Sequence, residues 1–231
     1  MEKLLTLFRH IASICTPKIG EKNGRSTIQY TKTIFKSNFA PIMNIAIFAS
    51  GGGSNALKII EYFNGHPLIK VALVVSNKQD AGVLDIAQKH GVPTLIIQRA
   101  AFYNSEVLLT NLEKYAIDFI VLAGFLWLIP AYLTHRFDHK MVNIHPALLP
   151  KYGGKGMYGM HVHEAVHAAR EPESGITIHY VNEHYDDGNI IFSATTPIEP
   201  SDLPKDIARK VLALEHQHFP VVIEQLLSKK A

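Results

Sequence analysis

The chain has 231 residues, 47% hydrophobic and 19% charged, which supplies a sizeable core and excludes global disorder. A mean hydropathy of +0.07, with no apolar run approaching ~18 residues, argues against a membrane span. One cysteine, Cys15, excludes an internal disulfide framework and fits a reducing, cytoplasmic setting.

The net charge of +3 is unevenly divided. Residues 1–42 carry seven Lys/Arg against Glu2 and Glu21, leaving 16 basic and 18 acidic side chains, a balance of −2, on residues 43–231. The body of the chain is therefore not basic, and broad binding to nucleic-acid phosphates is disfavoured. Residues 1–15 carry a weak amphipathic helical pattern interrupted by Arg9 and His10, without a signal-peptide cleavage pattern. Residues 17–41 are rich in Lys, Ser, Thr and Asn with no sustained period. The expectation is a basic, disordered extension over 1–42 and a single domain over 43–231.

From Met43 the pattern changes. Residues 44–48 (Asn-Ile-Ala-Ile-Phe) read as a buried strand, followed by the loop Ser50-Gly51-Gly52-Gly53-Ser54-Asn55 and a helix over 56–63. Strands follow at 70–75, 93–97 and 119–123, separated by helices near 83–89 and 104–115. Further strands are predicted at 141–144, 175–181 and 189–195, with helices over 161–170 and 205–227. Apolar runs alternating with helices imply βαβ units, hence an α/β, Rossmann-like fold whose mostly parallel sheet carries helices on both faces.

The glycine loop joins the first strand to the first helix, where such folds place anions against exposed N–H groups and the positive helix end. Gly51, Gly53 and Ala56 also satisfy G-x-G-x-x-[GA]. The second strand, however, ends Val75-Ser76-Asn77-Lys78 without the carboxylate that binds a ribose. NAD is disfavoured, and an NADP-binding module using Lys78 is the non-enzymatic alternative.

The densest chemistry is Asn143-Ile144-His145-Pro146. Alternate side chains on a strand share a face, so Asn143 and His145 point one way while Ile144 enters the core. An amide and an imidazolium side by side make a donor pair for a developing oxyanion. A carboxylate from Tyr185-Asp186-Asp187-Gly188 would hold that histidine charged, raising its pKa by roughly a unit or more. Either aspartate satisfies this requirement. His161, His163 and His167 include an i, i+4 pair, but no cysteine and no H-E-x-x-H pattern accompanies them, so no metal site is expected.

Taken in order, SGGGSN, LAGF, NIHPALLPKYGG, H-x-H, GITIHYV, YDDG and ALEHQHFP resemble the phosphoribosylglycinamide formyltransferases, the folate-dependent transformylases of purine synthesis. The resemblance spans Met43 to about Leu227. It implies that Gly53, Ser54 and Asn55 bind the ribonucleotide phosphate and that Glu215 contacts the sugar hydroxyls. Asn143, His145 and Asp186 would be catalytic, with Asp187 in the middle of the family's D-x-G. Phe125, Leu126, Trp127, Leu128 and Ile129, with Asn143, would line the cleft for the co-substrate 10-formyltetrahydrofolate. No metal is implied, the partners are small molecules rather than nucleic acid or membrane, and the assembly is a monomer or homodimer. Two departures stand out: Trp127 and Ser105 occupy positions where relatives carry Arg. Residues Lys155-Gly156-Met157-Tyr158-Gly159 resemble an insertion beside the site. Formyl transfer to methionyl-tRNA or a sugar nucleotide, or hydrolysis of the formyl-folate, are the alternatives in the same chemistry. The −2 body suits a tRNA acceptor poorly.

Overall fold

In the computed structural model, residues 15–22, 25–32 and 41–228 are described, and they fall into two units, Met1–Ala40 and Pro41–Ala231. The helical pattern over 1–15 lies almost wholly outside the described residues. In the first unit, β1 (Cys15–Lys22) pairs antiparallel with β2 (Arg25–Lys32), where the composition predicts an irregular extension. The sequence carries a local signal for this ladder. The sequence reads Asn-Gly at 23–24, a pair favoured in two-residue hairpin turns, and Ser26-Thr27-Ile28-Gln29-Tyr30-Thr31 is rich in strand formers.

The second unit is built on a seven-stranded sheet. Its strands are β3 (Met43–Phe48), β4 (Ile69–Ser76), β5 (Thr94–Ile96), β6 (Phe119–Leu122), β7 (Met141–His145), β8 (Glu173–Tyr180) and β9 (Ile190–Pro197). They lie in the order β5-β4-β3-β6-β7-β8-β9. The ladders from β5 to β7 are parallel, and those joining β7 to β8 and β8 to β9 are antiparallel. Central strands are apolar on both sides because helices cover both faces. Ile45 and Ile47 enter one core with Ile59, Val74, Ile207 and Phe219. Ala46 and Phe48 enter the other with Leu73, Phe102, Leu112, Ile120 and Leu133.

The helices are α1 (Ser54–Tyr62), α2 (Gly82–Lys89), α3 (Arg99–Asn104), α4 (Val107–Lys114), α5 (Ala131–Arg136), α6 (Met160–Ala168) and α7 (Pro204–Ser228). The helix expected over 104–115 is interrupted. Ser105 is extended (φ −151°, ψ 159°) and its hydroxyl donates to the Ala101 carbonyl, so α3 ends there and α4 starts afresh. Short α5 carries too little periodicity to be read from sequence.

Strand β3 has β4 on one side and β6 on the other, so the chain reverses direction across the sheet at this point. Loops leaving β3 and β6 therefore diverge and open a crevice at the carboxyl ends of the strands. Buried Ser50 ties the two loops together: its N–H donates to Gly124 O at 3.0 Å, and its hydroxyl accepts from Leu126 N–H at 3.0 Å.

Candidate active site

Strand alternation puts Asn143 and His145 on one face of β7, as expected. The antiparallel register then sets His179 of β8 opposite Asn143 and Thr177 opposite His145. Thr177 secures the turn after His145, its hydroxyl donating to Ala147 O (2.7 Å) and accepting from Leu149 N–H (3.0 Å). The loop between β8 and β9 folds back and delivers Asp186, whose Oδ2 lies 3.4 Å from His145 Nδ1. Asp187 is exposed and reaches only Asn182. The geometry thus distinguishes the two aspartates that sequence reasoning alone leaves equivalent.

Both ring nitrogens of His145 face acceptors. Nε2–H donates to the Tyr152 carbonyl at 2.7 Å, and Nδ1 faces Asp186. The second Asp186 contact is also a main-chain one, Gly154 N–H donating to Oδ2 at 2.9 Å. Asp186 and Tyr152 both adopt left-handed backbone, with φ of 53° and 56°. Strain at the two residues that grip the same histidine marks a site where the surrounding structure overrides local preference. His179 Nδ1 donates to Tyr180 O at 2.8 Å, and its Nε2 lies 3.1 Å from Asn143 Nδ2 and 3.6 Å from Asp186 Oδ1. Asn143 Nδ2 also donates to Asp186 Oδ1 at 3.3 Å.

The charge balance at His145 reverses the expectation of a raised pKa. Burial at 3% exposure is the largest influence and pushes the imidazole down. Asp186 and the Tyr152 carbonyl pull it up without overcoming burial, and His179 adds to the lowering. Burial also works to raise Asp186. The facing His179, the His145 ring and the Gly154 N–H outweigh it and hold the carboxyl below its usual range. The result is a desolvated imidazole flanked by two acceptors, so the charged form is well hydrogen-bonded but poorly solvated.

Asn143, His145 and Asp186 line a cavity of about 660 Å³ together with Asn55, Leu126, Met157 and Glu215. Asn55 Nδ2 donates to Glu215 Oε2 at 2.6 Å, joining α1 to α7. Glu215 is 8% exposed, and burial holds its carboxyl above the ordinary value while the Asn55 bond opposes. The folded protein therefore retains a proton there as pH rises past the ordinary glutamate range, and this contribution to stability is lost at higher pH. Glu215→Gln, which does not titrate, is expected to melt higher than the parent at pH 8 and equally near pH 4. A gain of ~1 kcal/mol would read as about 2–4 °C in a thermal scan.

Gly53 precedes α1 with φ 80°, and a Cβ there would meet Val83 Cβ at 2.7 Å, so this turn accepts only glycine. No side chain caps the helix, and its first turn carries no acid, leaving the N–H groups beside Ser54 free of an internal anion. Gly53 and Ser54 lie outside the residues lining the cavity, whereas Asn55 lies among them.

The segment after β6 divides. Phe125 and Leu126 line the large cavity, while Trp127, Leu128 and Ile129 line an adjoining one of about 60 Å³ together with Asn143, His179 and Asp186. Phe125 and Ile129 are also core residues, Phe125 packing edge-on against Phe48 and Phe102. Trp127 joins the same aromatic group, and the Arg99 guanidinium sits 5.4 Å above its ring. Ser105, by contrast, is spent on ending α3. Lys155, Gly156, Met157, Tyr158 and Gly159 all line the large cavity. His161 and His167 are exposed on α6, whereas His163 is buried. Among the described residues no group of three His, Cys, Asp or Glu could hold a metal.

Sequence reasoning missed three contributors: His179, the Tyr152 carbonyl and the Gly154 N–H. His179 was detectable, since it shares a strand face with Thr177. Main-chain groups carry no such signal.

Known proteins share this chain's sequence and fold. Residues 43–223 match the family described as formyl transferase. The chain is 38% identical over 232 residues to the Arabidopsis thaliana protein named phosphoribosylglycinamide formyltransferase, chloroplastic, covering 96% of this chain and 80% of that one. It is 35% identical to the Escherichia coli phosphoribosylglycinamide formyltransferase over 78% of this chain and 85% of the relative. The crystal structure of phosphoribosylglycinamide formyltransferase from Bacillus halodurans superposes with a TM-score of 0.73 at 34% identity, covering 81% of this chain and 97% of the other. With the family match covering most of the chain and the closely placed catalytic candidates on the same fold, the chain belongs to the formyl transferase family, among the phosphoribosylglycinamide formyltransferases.

Proposed function

We propose that the enzyme transfers the formyl group of 10-formyltetrahydrofolate to the amine of glycinamide ribonucleotide, using residues 43–231. The observation that carries the reading is the His145–Asp186 contact of 3.4 Å in a cavity also lined by Asn55 and Glu215. The amine lone pair attacks the formyl carbon, and the carbonyl π electrons move to oxygen. Asn143 and His145 donate to that oxygen, which replaces the Tyr152 carbonyl as the acceptor at His145. Asp186 balances the imidazolium, and protons pass from the amine to the leaving folate nitrogen as the carbon–nitrogen bond breaks. Gly53, Ser54, Asn55 and Glu215 bind the ribonucleotide, the uncapped start of α1 facing its phosphate. Phe125, Leu126, Trp127, Leu128 and Ile129 with Asn143 receive the formyl-folate. No metal takes part.

The test is turnover: purified enzyme with both substrates should release tetrahydrofolate in step with the formylated amine. No release above background from folded protein would overturn the reading. Among the described residues no helix is long and apolar enough to cross a membrane. We place the activity in the cytoplasm, as a monomer or homodimer free of nucleic acid. The Arabidopsis relative is named chloroplastic, so cell fractionation is the appropriate check.

Trp127 provides a test of the folate side. Trp127→Arg removes an aromatic partner of Phe102 and sets a second guanidinium beside Arg99. The Michaelis constant for the formyl-folate is expected to change more than that for the ribonucleotide. Equal changes would assign Trp127 to the fold.

A further inference from the structure

The cavity contains a second buried histidine that the mechanism above leaves unused. His163, on α6, is 6% exposed and lines the same cavity as Asn143, His145 and Asp186. Its Nδ1 is sealed from solvent without a partner, and no described group bonds either ring nitrogen. The helix has no packing need for imidazole here, since Val162 and Val166 on either side already fill its core-facing positions at 0% and 1% exposure. An unpaired polar ring is an expensive way to occupy such a position, unless a ligand completes it.

The tautomer follows from the burial. A sealed nitrogen is better left as a lone pair than as an orphaned N–H, which puts the proton on Nε2, the nitrogen open to the cavity. Burial and the neighbouring His145 both push the ring toward its neutral form. The donors expected for the reacting oxygen are meanwhile engaged: Asn143 with His179 and Asp186, and His145 with Tyr152. His163 therefore has the cavity-facing N–H that no protein group claims.

We propose that His163 donates its Nε2–H to the formyl oxygen as that oxygen becomes an oxyanion, an inference that rests on the formyl-transfer reading. As the amine–carbon bond forms, the π pair moves onto this oxygen and His163 shares its proton without giving it up. When the pair returns, the carbon–nitrogen bond to the folate breaks, and the folate nitrogen takes the proton that the amine loses. His163 ends unchanged.

Three measurements on His163→Leu and His163→Gln decide the matter. Removing one oxyanion donor typically lowers kcat by ~10²-fold, so His163→Leu should show that loss with both KM values within about threefold of the parent. Its melting temperature should equal or exceed the parent's, because an unpaired polar group has left the interior. His163→Gln, whose amide N–H₂ reaches the Nε2 position, should recover most of the lost kcat. A lower melting temperature with kcat preserved would make His163 a core residue and overturn the proposal. So would a raised KM with unchanged kcat, or a glutamine variant as slow as the leucine one. A parent inactive with both substrates would instead overturn the formyl-transfer reading, and the oxyanion role with it. The melting comparison would still report separately on whether the core needs this ring.

Discussion

His145→Ala is expected to lower turnover by roughly 10²-fold or more, the usual scale for a group that moves protons or stabilises an oxyanion. Asp186→Asn should also lose turnover while ribonucleotide affinity changes little. The carboxylate raises the His145 pKa against burial, so removing its charge lowers that pKa further. If His145 acts in its protonated form, the alkaline limb of the remaining activity should move to lower pH. The double variant should be little worse than His145→Ala, since residues acting as a unit are not additive. Asp187→Asn is the control and should be mild, because that side chain is exposed and reaches only Asn182. Steady-state rates across pH for the four variants check this directly. A crippled Asp187→Asn beside a healthy Asp186→Asn would reverse the assignment.

The second large effect is expected at Gly188, two residues beyond Asp186. A Cβ there would lie 1.7 Å from Tyr180 O and 2.7 Å from the same carbonyl carbon, a backbone obstacle that cannot rotate away. Gly188→Ala must push the loop off β8. Overpacking of this kind costs about 1–3 kcal/mol and occasionally more, at about 2–4 °C per kcal/mol for a domain of this size. Turnover should fall with stability, because the displaced loop carries Asp186. An unchanged melting temperature with full activity would show that the close approach does not hold Asp186 in place.

Much of the fold was legible because burial writes itself into composition. Residues 45–48 are apolar without interruption, and all four are fully buried at the centre of the sheet. Asn143 and His145 were legible as a pair because strand period alone sets their shared face. The direction of the His145 shift was not. It depends on how deeply the ring is buried, and that is fixed by Tyr152, Thr177 and the returning loop rather than by residues adjacent in sequence. His163 was obscured for a related reason. Its i, i+4 spacing with His167 suggests a shared helical face, yet packing buries one and leaves the other in solvent. Asn23-Gly24 was an available turn signal, overshadowed by the basic composition around it.

The bond between Asn55 and Glu215 also has a consequence for the order of folding. It joins residues 160 apart in sequence, whereas Asn143, His145 and Asp186 come from within a single stretch of β7, β8 and the loop that follows. Closing the short stretch requires few ordered residues, while the long one must wait for α7, the last described element, to dock on α1. As the chain leaves the ribosome, its acid–base centre can assemble first, and the wall that meets it closes last. Recovery of activity on refolding should therefore keep pace with the docking of the terminal helix, not with formation of the sheet.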